Sequence, residues 1–282
     1  MSFADHIRAC NSFDRRRVLP LLAGAHRIGW LLRDNAAALV RFPKVFAAEG
    51  ECVRLVAGGD ADTISAAVDE VVEALVVENL VPKWRNETFD VMARWGDPPL
   101  FRLDRGAVPF FGTRAYGVHL NGYRRGSGLR LWIGRRAPDK RVSPNKLDNI
   151  VAGGIGNGHG IAATLFKEAE EEGGIPAALV ERAVPVGAVS YCMQTELGIR
   201  DDVLYVYDLE LPADFTPVNN DGEIVHFDLM PAADVVERVR TTDDFKFNVN
   251  LVILDFALRH GLIRVDDPEY TEVATGLHRP LD

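Results

Sequence analysis

With 282 residues, the chain is long enough for one large domain or two modest ones, and 47% hydrophobic and 26% charged residues are ordinary for a globular protein. A formal net charge of −9 disfavours a nonspecific nucleic-acid binder, although bound cations could still create a local site for a small anion. The three cysteines are far apart and form no metal-binding or redox pair, which fits a reducing cytosol.

The chain shows no feature of a membrane or secreted protein. Its N-terminus is polar and lacks an apolar signal segment, and no run of about 18 apolar residues appears that could form a transmembrane helix. We therefore expect a cytoplasmic protein with no membrane partner and no nucleic-acid partner. The oligomeric state, a homodimer included, stays open at this point.

The first part of the chain, to about Phe101, predicts a mixed α/β region. Asp62 and Thr63 are suitable caps for a helix whose apolar residues recur at helical spacing: Ile64, Val68, Val71 and Leu75. The run at 96–99, which contains Gly and Pro, predicts a joint between two parts of the chain.

The middle of the chain predicts two strands, a glycine-rich loop and a helix. Apolar residues alternate on both sides of a turn at 125–128, first in Tyr116, Val118 and Leu120 and then in Leu129, Leu131 and Ile133. The glycine-rich loop at 153–158 precedes a helix predicted at about 161–172, which ends at Gly173 and Gly174.

The last part of the chain predicts further strands at 184–192, 203–211 and 225–229. Two helices, at about 232–240 and 249–259, are predicted to close the chain. This order of elements predicts helices packed on a mixed sheet.

Three glutamates of the helix at 161–172 point to the chemistry. Glu168, Glu171 and Glu172 stand at i, i+3 and i+4, within about 60° of arc on one helix face. Each like-charged pair costs about 0.2–0.5 kcal/mol, and the helix dipole also disfavours anions at this end. Such conflicts are typical of functional sites, and a divalent cation would relieve both. The alternative is a solvated acidic helix face.

The sequence around these glutamates resembles the Nudix box, the signature segment of the Nudix hydrolases. The run KEAEEEGGI at 167–175 follows the end of that pattern, R-E-U-x-E-E-x-G-U, with Lys167 in place of arginine. Gly153 and Gly154 lie close to where the box begins, and the loop is one residue short if the box glycine is Gly154. His159 stands where the box has its first glutamate, which is less central in Nudix proteins than the later three.

Segments outside the box extend the resemblance over nearly the whole chain. They are similar to the Nudix part of fungal thiamine pyrophosphokinase fusions and to plant relatives, and they lie at 84–87, 116–123, 131–136, 146–154, 205–209, 220–223 and 254–256. The resemblance implies hydrolysis of thiamine diphosphate, and especially of its oxidised analogues, to the monophosphates. It also implies a Nudix α/β/α sandwich with a mixed sheet at 111–282, preceded by a smaller α/β accessory domain at 1–110.

Hydrolysis of a diphosphate requires charge neutralisation on two phosphates, which Mg²⁺ provides by bridging their oxygens. Hard oxygen ligands suit Mg²⁺ or Mn²⁺, and we expect one of these ions as the cofactor. The predicted ligands are carboxylates of the helix and, by resemblance, the backbone of the glycine turn: Glu168, Glu171, Glu172, Gly153 and Gly154.

The resemblance also implies catalytic roles. Glu223 matches a downstream glutamate that ligates metal or acts as general base in Nudix enzymes, and its alternative is an ordinary acidic turn residue. We expect Glu223, Glu171 and Glu172 to be catalytic. Lys167 is interpreted as structural support for Glu171. His159 could touch phosphate, although an exposed loop residue is the more common case.

Eight basic residues and one acid, Asp139, lie between Arg124 and Lys146, a local balance of +7. This stretch could steer an anionic diphosphate toward the metal, or it could be a solvated basic hairpin. We expect substrate contacts from it and from aromatic residues, for which core packing is the alternative. The candidates are Arg135, Arg136, Lys146, Trp132 and Tyr116, with Trp84 in a pocket between the two parts of the chain.

Two other functions stay open. The first keeps the chemistry but changes the substrate to a nucleoside di- or triphosphate, oxidised forms included. The second is a degenerate Nudix module that binds a ligand and regulates, against which the three retained glutamates argue.

Overall fold

The computed structural model describes residues 1–82 and 87–281. Trp84, a predicted substrate contact, lies outside the described residues. None of the described helices is both long enough and apolar enough to cross a membrane.

The N-terminal region is built on a four-stranded sheet with the order β2-β1-β4-β3 and on a separate β5–β6 pair. The strands are β1 (Val18–Ala23), β2 (His26–Leu32), β3 (Phe46–Glu49), β4 (Cys52–Leu55), β5 (Thr88–Val91) and β6 (Phe101–Asp104). β1 pairs parallel with β4, whereas the other pairs of this region are antiparallel. The run at 96–99 therefore lies in the loop between the paired strands β5 and β6, and the prediction of a joint there is wrong.

The helices before the second large sheet are α1 (Phe3–Cys10), α2 (Arg33–Leu39), α3 (Ala61–Val77) and α4 (Val108–Phe111). The predicted apolar face of α3 is confirmed, since Val68, Val71 and Leu75 are buried. Its cap is Asp60, which accepts a hydrogen bond from the Thr63 N–H at 2.8 Å, rather than Asp62 or Thr63.

The C-terminal region is built on a seven-stranded mixed sheet. Its strands are β7 (Arg114–Arg124), β8 (Arg130–Arg136), β9 (Leu147–Asn149), β10 (Val151–Gly154), β11 (Val184–Gln194), β12 (Ile199–Glu210) and β13 (Ile224–Pro231). The main order is β11-β12-β7-β8-β13. β10 pairs with β7 and β9 pairs with β8. The two short consecutive strands β9 and β10 therefore lie where β7 and β8 diverge.

Helices cover both faces of this sheet. They are α5 (Ile161–Gly173), α6 (Ala177–Val180), α7 (Ala232–Thr241), α8 (Phe247–Arg259) and α9 (Tyr270–Gly276). Leu120 and Trp132 pack in one core with Leu165 of α5, whereas Leu131 packs in another core with Leu254 of α8. Alternate residues of a strand point to opposite faces, and the predicted α/β/α sandwich is confirmed.

Two features of the C-terminal region were not predicted from the sequence. A third helix, α9, follows the two helices that were predicted to close the chain. Because α9 is short and only Val273 in it is buried, its sequence shows no clear helical pattern. The first helix, α1, packs with Phe3 and Ile7 in the core under α8 rather than against the N-terminal sheet.

Candidate metal and substrate site

The end of helix α5 fixes the position of the loop at 218–223. Gly174 ends the helix with a φ of 58°, and an added Cβ there would lie 2.9 Å from the Val218 carbonyl oxygen, so only glycine fits. The Val218 N–H donates to the Gly173 carbonyl at 3.1 Å, and the Asn220 N–H donates to the Glu171 carbonyl at 3.0 Å. These bonds hold the acidic loop against the acidic end of the helix.

Three carboxylates converge where this loop meets the helix. Glu172, Asp221 and Glu223 each place one oxygen within 4.8 Å of the others. Asp221 was not among the residues predicted from the sequence, although it belongs to the same acidic turn as Glu223. A set of hard carboxylate oxygens at this spacing fits Mg²⁺ or Mn²⁺.

Glu172 is the buried member of this group, with 7% of its surface exposed. The Ala152 N–H donates to its Oε2 at 2.7 Å, which fixes the carboxylate. Burial raises the pKa of the Glu172 carboxyl well above its usual range, the Ala152 bond only partly opposes this, and the charges of Asp148 and Glu168 raise it further. A bound cation would stabilise the charged form, so the environment of Glu172 also fits a metal.

Glu168 and Glu171 flank this group of three without being members of it. Lys167 Nζ lies 2.9 Å from Oε1 of Glu168 and 2.9 Å from Oε2 of Glu171, so the predicted support of Glu171 is present. Burial raises the pKa of Glu168, and the positive charge of Lys167 opposes that shift. The three glutamates of the predicted helix face therefore differ in exposure. Glu168 and Glu172 point inward, whereas Glu171 is half exposed.

The glycine turn lies directly on Glu168. A Cβ added to Gly153 would lie 2.3 Å from the Cγ of Glu168, and a Cβ added to Gly154 would lie 2.7 Å from the Phe89 ring of β5. The turn is thus packed between the glutamate helix and the N-terminal region. The role of its backbone as a metal ligand stays a prediction.

The basic stretch at 124–146 reaches the site through Lys140, which forms an ion pair with Glu223. Arg136 is buried and uses its donors inside the fold, to Asp148 at 2.6 Å and to the carbonyls of Ser143 and Val142 at 3.1 and 3.0 Å. This arrangement contradicts a direct substrate contact by Arg136, because its guanidinium already holds buried partners.

The other two predicted basic contacts also have partners in the fold. Arg135 donates to the Asn145 carbonyl at 2.6 Å, and Lys146 lies 2.9 Å from a carboxylate oxygen of Asp243. Both side chains are partly accessible. Their contact with a substrate stays a prediction.

An aromatic cavity of about 170 Å³ lies on the other side of the glycine turn, between the N-terminal region and β7. The Trp95 ring centroid is 4.6 Å from that of Tyr116 and 5.5 Å from that of Tyr205, and the two tyrosine rings are nearly parallel. His159 of the glycine-rich loop is exposed and also lines the cavity. Tyr116 was predicted as a stacking residue, whereas Trp95 was not.

Trp132 does not line this cavity. It is 8% exposed and packs in the core under α5, with the Arg124 guanidinium 5.4 Å from its ring. The prediction that it stacks on substrate is contradicted by this burial, and the alternative of core packing holds.

A buried carboxylate oxygen lies at the wall of the aromatic cavity. Asp90 Oδ2 accepts a hydrogen bond from the Gly158 N–H at 3.0 Å, whereas Asp90 Oδ1 is buried and has no hydrogen-bond partner among the described residues. A buried acceptor without a partner is costly, so a ligand that donates a hydrogen bond or carries positive charge would stabilise it.

The N-terminal region also places a cation near the carboxylates. Arg105 lies 2.8 Å from a carboxylate oxygen of Glu87 and 5.6 Å from the Phe89 ring centroid. Burial raises the pKa of Glu168, and the positive charge of Arg105 is near enough to act in the opposite direction. Sequence reasoning missed Arg105 because only the tertiary fold brings it to α5.

Comparison with known proteins accounts for this architecture. Residues 2–115 match a domain of unknown function (DUF4743), and residues 115–250 match the NUDIX domain. The chain is 37% identical over 284 residues to "Nudix hydrolase 20, chloroplastic" of Arabidopsis thaliana, across 96% of this chain and 76% of that protein. The chain belongs to the Nudix hydrolase family. Nudix hydrolases act on phosphoric anhydrides, which confirms the prediction of a hydrolase with a small-molecule substrate.

Two further similarities were found. "Nudix hydrolase 24, chloroplastic" of the same plant is 44% identical over 208 residues, across 73% of this chain, and the match spans 57% of that protein. A crystal structure of DR0079 from Deinococcus radiodurans is 25% identical, covers 59% of this chain and 97% of its own, and has a TM-score of 0.46. The names of the two plant relatives place those proteins in the chloroplast, and a cytoplasmic location stays a prediction for this chain.

Proposed function

We propose that this Nudix protein hydrolyses the diphosphate linkage of a small molecule whose flat ring occupies the aromatic cavity. The proposed cofactor is Mg²⁺ or Mn²⁺ at Glu172, Asp221 and Glu223. The observation that carries the proposal is the position of the glycine turn, which packs on Glu168 through Gly153 and on the cavity wall through Gly154. A molecule that spans this turn would place its ring beside Trp95 and its phosphates beside the carboxylates.

The bound ion would neutralise the phosphate oxygens and make a water molecule more acidic. The residues of the chain supply the rest. The Ala152 N–H holds Glu172 in one orientation, Lys167 separates the charges of Glu168 and Glu171, and Lys140 orients Glu223.

In the proposed reaction, a water oxygen forms a bond to one phosphorus and the anhydride P–O bond on that phosphorus breaks. The bridging oxygen leaves with the other phosphate, and the proton of the water passes to a carboxylate. Glu171 is the accessible candidate for that carboxylate, because Glu172 is buried and Glu223 is one of the proposed ligands of the ion. The products are an organic monophosphate and inorganic phosphate.

The proposed substrate is thiamine diphosphate or one of its oxidised analogues. A cationic thiazolium ring is attracted to aromatic faces, and the cavity presents Trp95 and Tyr116, whose rings also pack with that of Tyr205. The unpartnered oxygen of Asp90 complements a cation or an amino group. The resemblance outside the Nudix box supports the same choice of substrate.

A nucleoside di- or triphosphate is the second candidate. A nucleobase also stacks on aromatic rings, and its exocyclic amino group could donate to Asp90. The two candidates differ in charge, since only the thiazolium ring is a permanent cation. A ligand-binding module without catalysis is the third candidate.

The experiment compares kcat/KM for thiamine diphosphate, its oxo- and oxy-analogues and a nucleotide panel under identical Mg²⁺. We expect the thiamine compounds to be cleaved more efficiently. Asp90→Asn should reduce kcat/KM for thiamine diphosphate more than for a nucleotide, and the exposed Asp34→Asn is the matched control. A nucleotide preferred by roughly tenfold (about 1.4 kcal/mol) would overturn the thiamine assignment and leave the hydrolase standing. No Mg²⁺-dependent turnover of any diphosphate would favour the binding module.

A further inference from the structure

A second, larger cavity lies away from the carboxylates. This groove has a volume of about 640 Å³ and is formed by the β1–β2 hairpin, the ends of β7 and β11 and the C-terminal residues Arg279 and Pro280. Neither the metal-site carboxylates nor Trp95 and Asp90 line it. Nothing in the proposed reaction uses this groove.

The groove is strongly basic within an acidic protein. Among the described residues, Arg15, Arg27, Arg114 and Arg279 line it, and Asp201 is the one acid. Asp201 is already neutralised by Arg114, which lies 2.9 Å away. Arg15 and Arg279 form no ion pair with any residue that the structure describes. The chain as a whole has a net charge of −9, so this local excess of positive charge needs an explanation.

Aromatic rings hold these guanidinium groups in place. Arg15 lies 4.1 Å and Arg27 lies 4.4 Å from the Trp30 ring centroid, and Arg279 lies 4.7 Å from that of Phe13. Stacking engages the flat face of a guanidinium and leaves its N–H edge able to donate hydrogen bonds. Packing alone would explain the stacks, but it does not explain why like charges gather around one open cavity.

We propose that this groove binds a small molecule that carries a phosphate group on an apolar or flat body. Guanidinium groups bind phosphate through paired hydrogen bonds, and Arg15 and Arg279 supply them. Pro20, Leu22 and Pro280 provide an apolar wall for the remainder of the molecule. The volume exceeds the need of a lone phosphate and falls within the range of small-molecule sites, about 300–1,000 Å³.

This site is independent of the divalent cation, because no metal-site carboxylate lines the groove. It borders the aromatic cavity, since Arg114 lines both. A ligand in the groove therefore binds with the metal removed, which separates the two sites in an experiment. It also separates this inference from the proposed hydrolysis, which requires the metal.

The experiment is a calorimetric titration of the full chain with phenyl phosphate in excess chelator. Separate titrations with inorganic phosphate and with phenol test the phosphate half and the ring half of that molecule. We expect phenyl phosphate to bind more tightly than either half. Arg15→Glu and Arg279→Gln should each weaken its binding by roughly tenfold. Arg17→Glu, in the same short turn as Arg15 but outside the groove, is the matched control, and Trp95→Ala should bind as the wild type does.

Three results would overturn the proposal. The first is that phenyl phosphate does not bind at millimolar concentration, which would show that the groove does not take a ligand of this class. Equal weakening by Arg17→Glu shows general electrostatic attraction rather than a site. Loss of binding in Trp95→Ala places the ligand in the aromatic cavity. A melting curve on each variant verifies that it is folded, and Arg279→Gln tests the charge without introducing a new one.

Discussion

Gly153 and Glu168 are in such close contact that a Cβ on Gly153 would lie 2.3 Å from the Cγ of Glu168. The glutamate side chain occupies the space in which any other residue at position 153 would place its own. The contact joins β10, which pairs with β7, to the carboxylate helix α5. The glycine is therefore required by packing on a carboxylate of the candidate site, independently of any bond from its backbone.

We predict that Gly153→Ala displaces Glu168 and lowers kcat by at least roughly tenfold, about 1.4 kcal/mol of barrier. The methyl group cannot be accommodated unless the glutamate or the turn moves. Gly160→Ala is the matched control, because a Cβ there meets nothing within 4 Å and its φ of −91° suits alanine. Steady-state kinetics with Mg²⁺ compares the two, and equal activity would remove the role assigned to this contact.

Glu171→Gln or Glu172→Gln is predicted to reduce turnover by at least roughly tenfold while the fold survives. Each change removes a charge near the proposed metal, and Glu172→Gln also removes the cost of a buried carboxylate. Glu170→Gln, on the exposed face of the same helix, controls for the loss of charge. Initial rates and melting curves are the measurements. Wild-type rates in either variant would contradict its assigned role.

The sequence predicts much of the C-terminal region because its signals are local. The strands predicted at 116–120 and 203–211 alternate in hydrophobicity. The first falls within β7, and the second falls within β12 except for Leu211. The glutamate helix at 161–172 was predicted within a residue of α5, since Gly173 and Gly174 mark its end. The short strands β9 and β10 were not predicted, because three or four residues are too few to show a clear alternation of hydrophobicity.

The candidate site was predictable only in part, for a similar reason. The spacing within α5 identifies Glu168, Glu171 and Glu172, because residues of one helix share a face by geometry. Asp90 and Arg105 come from the N-terminal region, and no periodicity connects them to α5. Trp132 shows the opposite error, because it was predicted to contact the substrate and does not line the site. It stands on a strand next to the site, but its side chain is oriented into the core.

Mg²⁺ or Mn²⁺ is predicted to raise the melting temperature of the chelator-treated protein. Binding to the native state alone stabilises it by mass action, and neutralising three carboxylates within 4.8 Å removes their repulsion. Asp221→Asn should reduce this increase, whereas the exposed Asp214→Asn should not. Thermal melts with and without the ion provide the measurement. An increase of the same size in Asp221→Asn would exclude that residue as a ligand.

Arg105→Gln is predicted to raise KM for the diphosphate substrate by roughly threefold or more, with a smaller effect on kcat. The reason is that Arg105 adds positive charge from the N-terminal region beside Glu168, where phosphate is proposed to bind. Arg102→Gln is the control, because Arg102 lies in the same region and pairs with Asp62. If both variants keep the wild-type KM, the N-terminal cation has no part in substrate binding.

A buried histidine gives the fold a pH dependence of its own. His119 is 3% exposed, and its Nδ1 lies 2.9 Å from Oδ1 of Asn149. The Nδ2 of Asn149 donates to Oδ1 of Asn121 at 2.9 Å. Because Asn149 presents an acceptor, the Nδ1 of His119 must donate, which is the role of a neutral ring with its proton there. Burial, and then the charge of Lys246, lower the pKa of His119 to about 4.

The unfolded chain binds the proton of this histidine near its ordinary pKa of 6.5, whereas the folded chain binds it only near 4. The stability is therefore complete above pH 6.5, falls as the pH drops toward 4 and then levels off, because both states are protonated. We predict that this group alone lowers the free energy of unfolding by about 2 kcal/mol between pH 7 and pH 5. Urea unfolding at both pH values should show a smaller decrease for His119→Gln than for the wild type, and the exposed His226→Gln should match the wild type. An equal decrease in all three proteins would show that His119 is already protonated in the folded state.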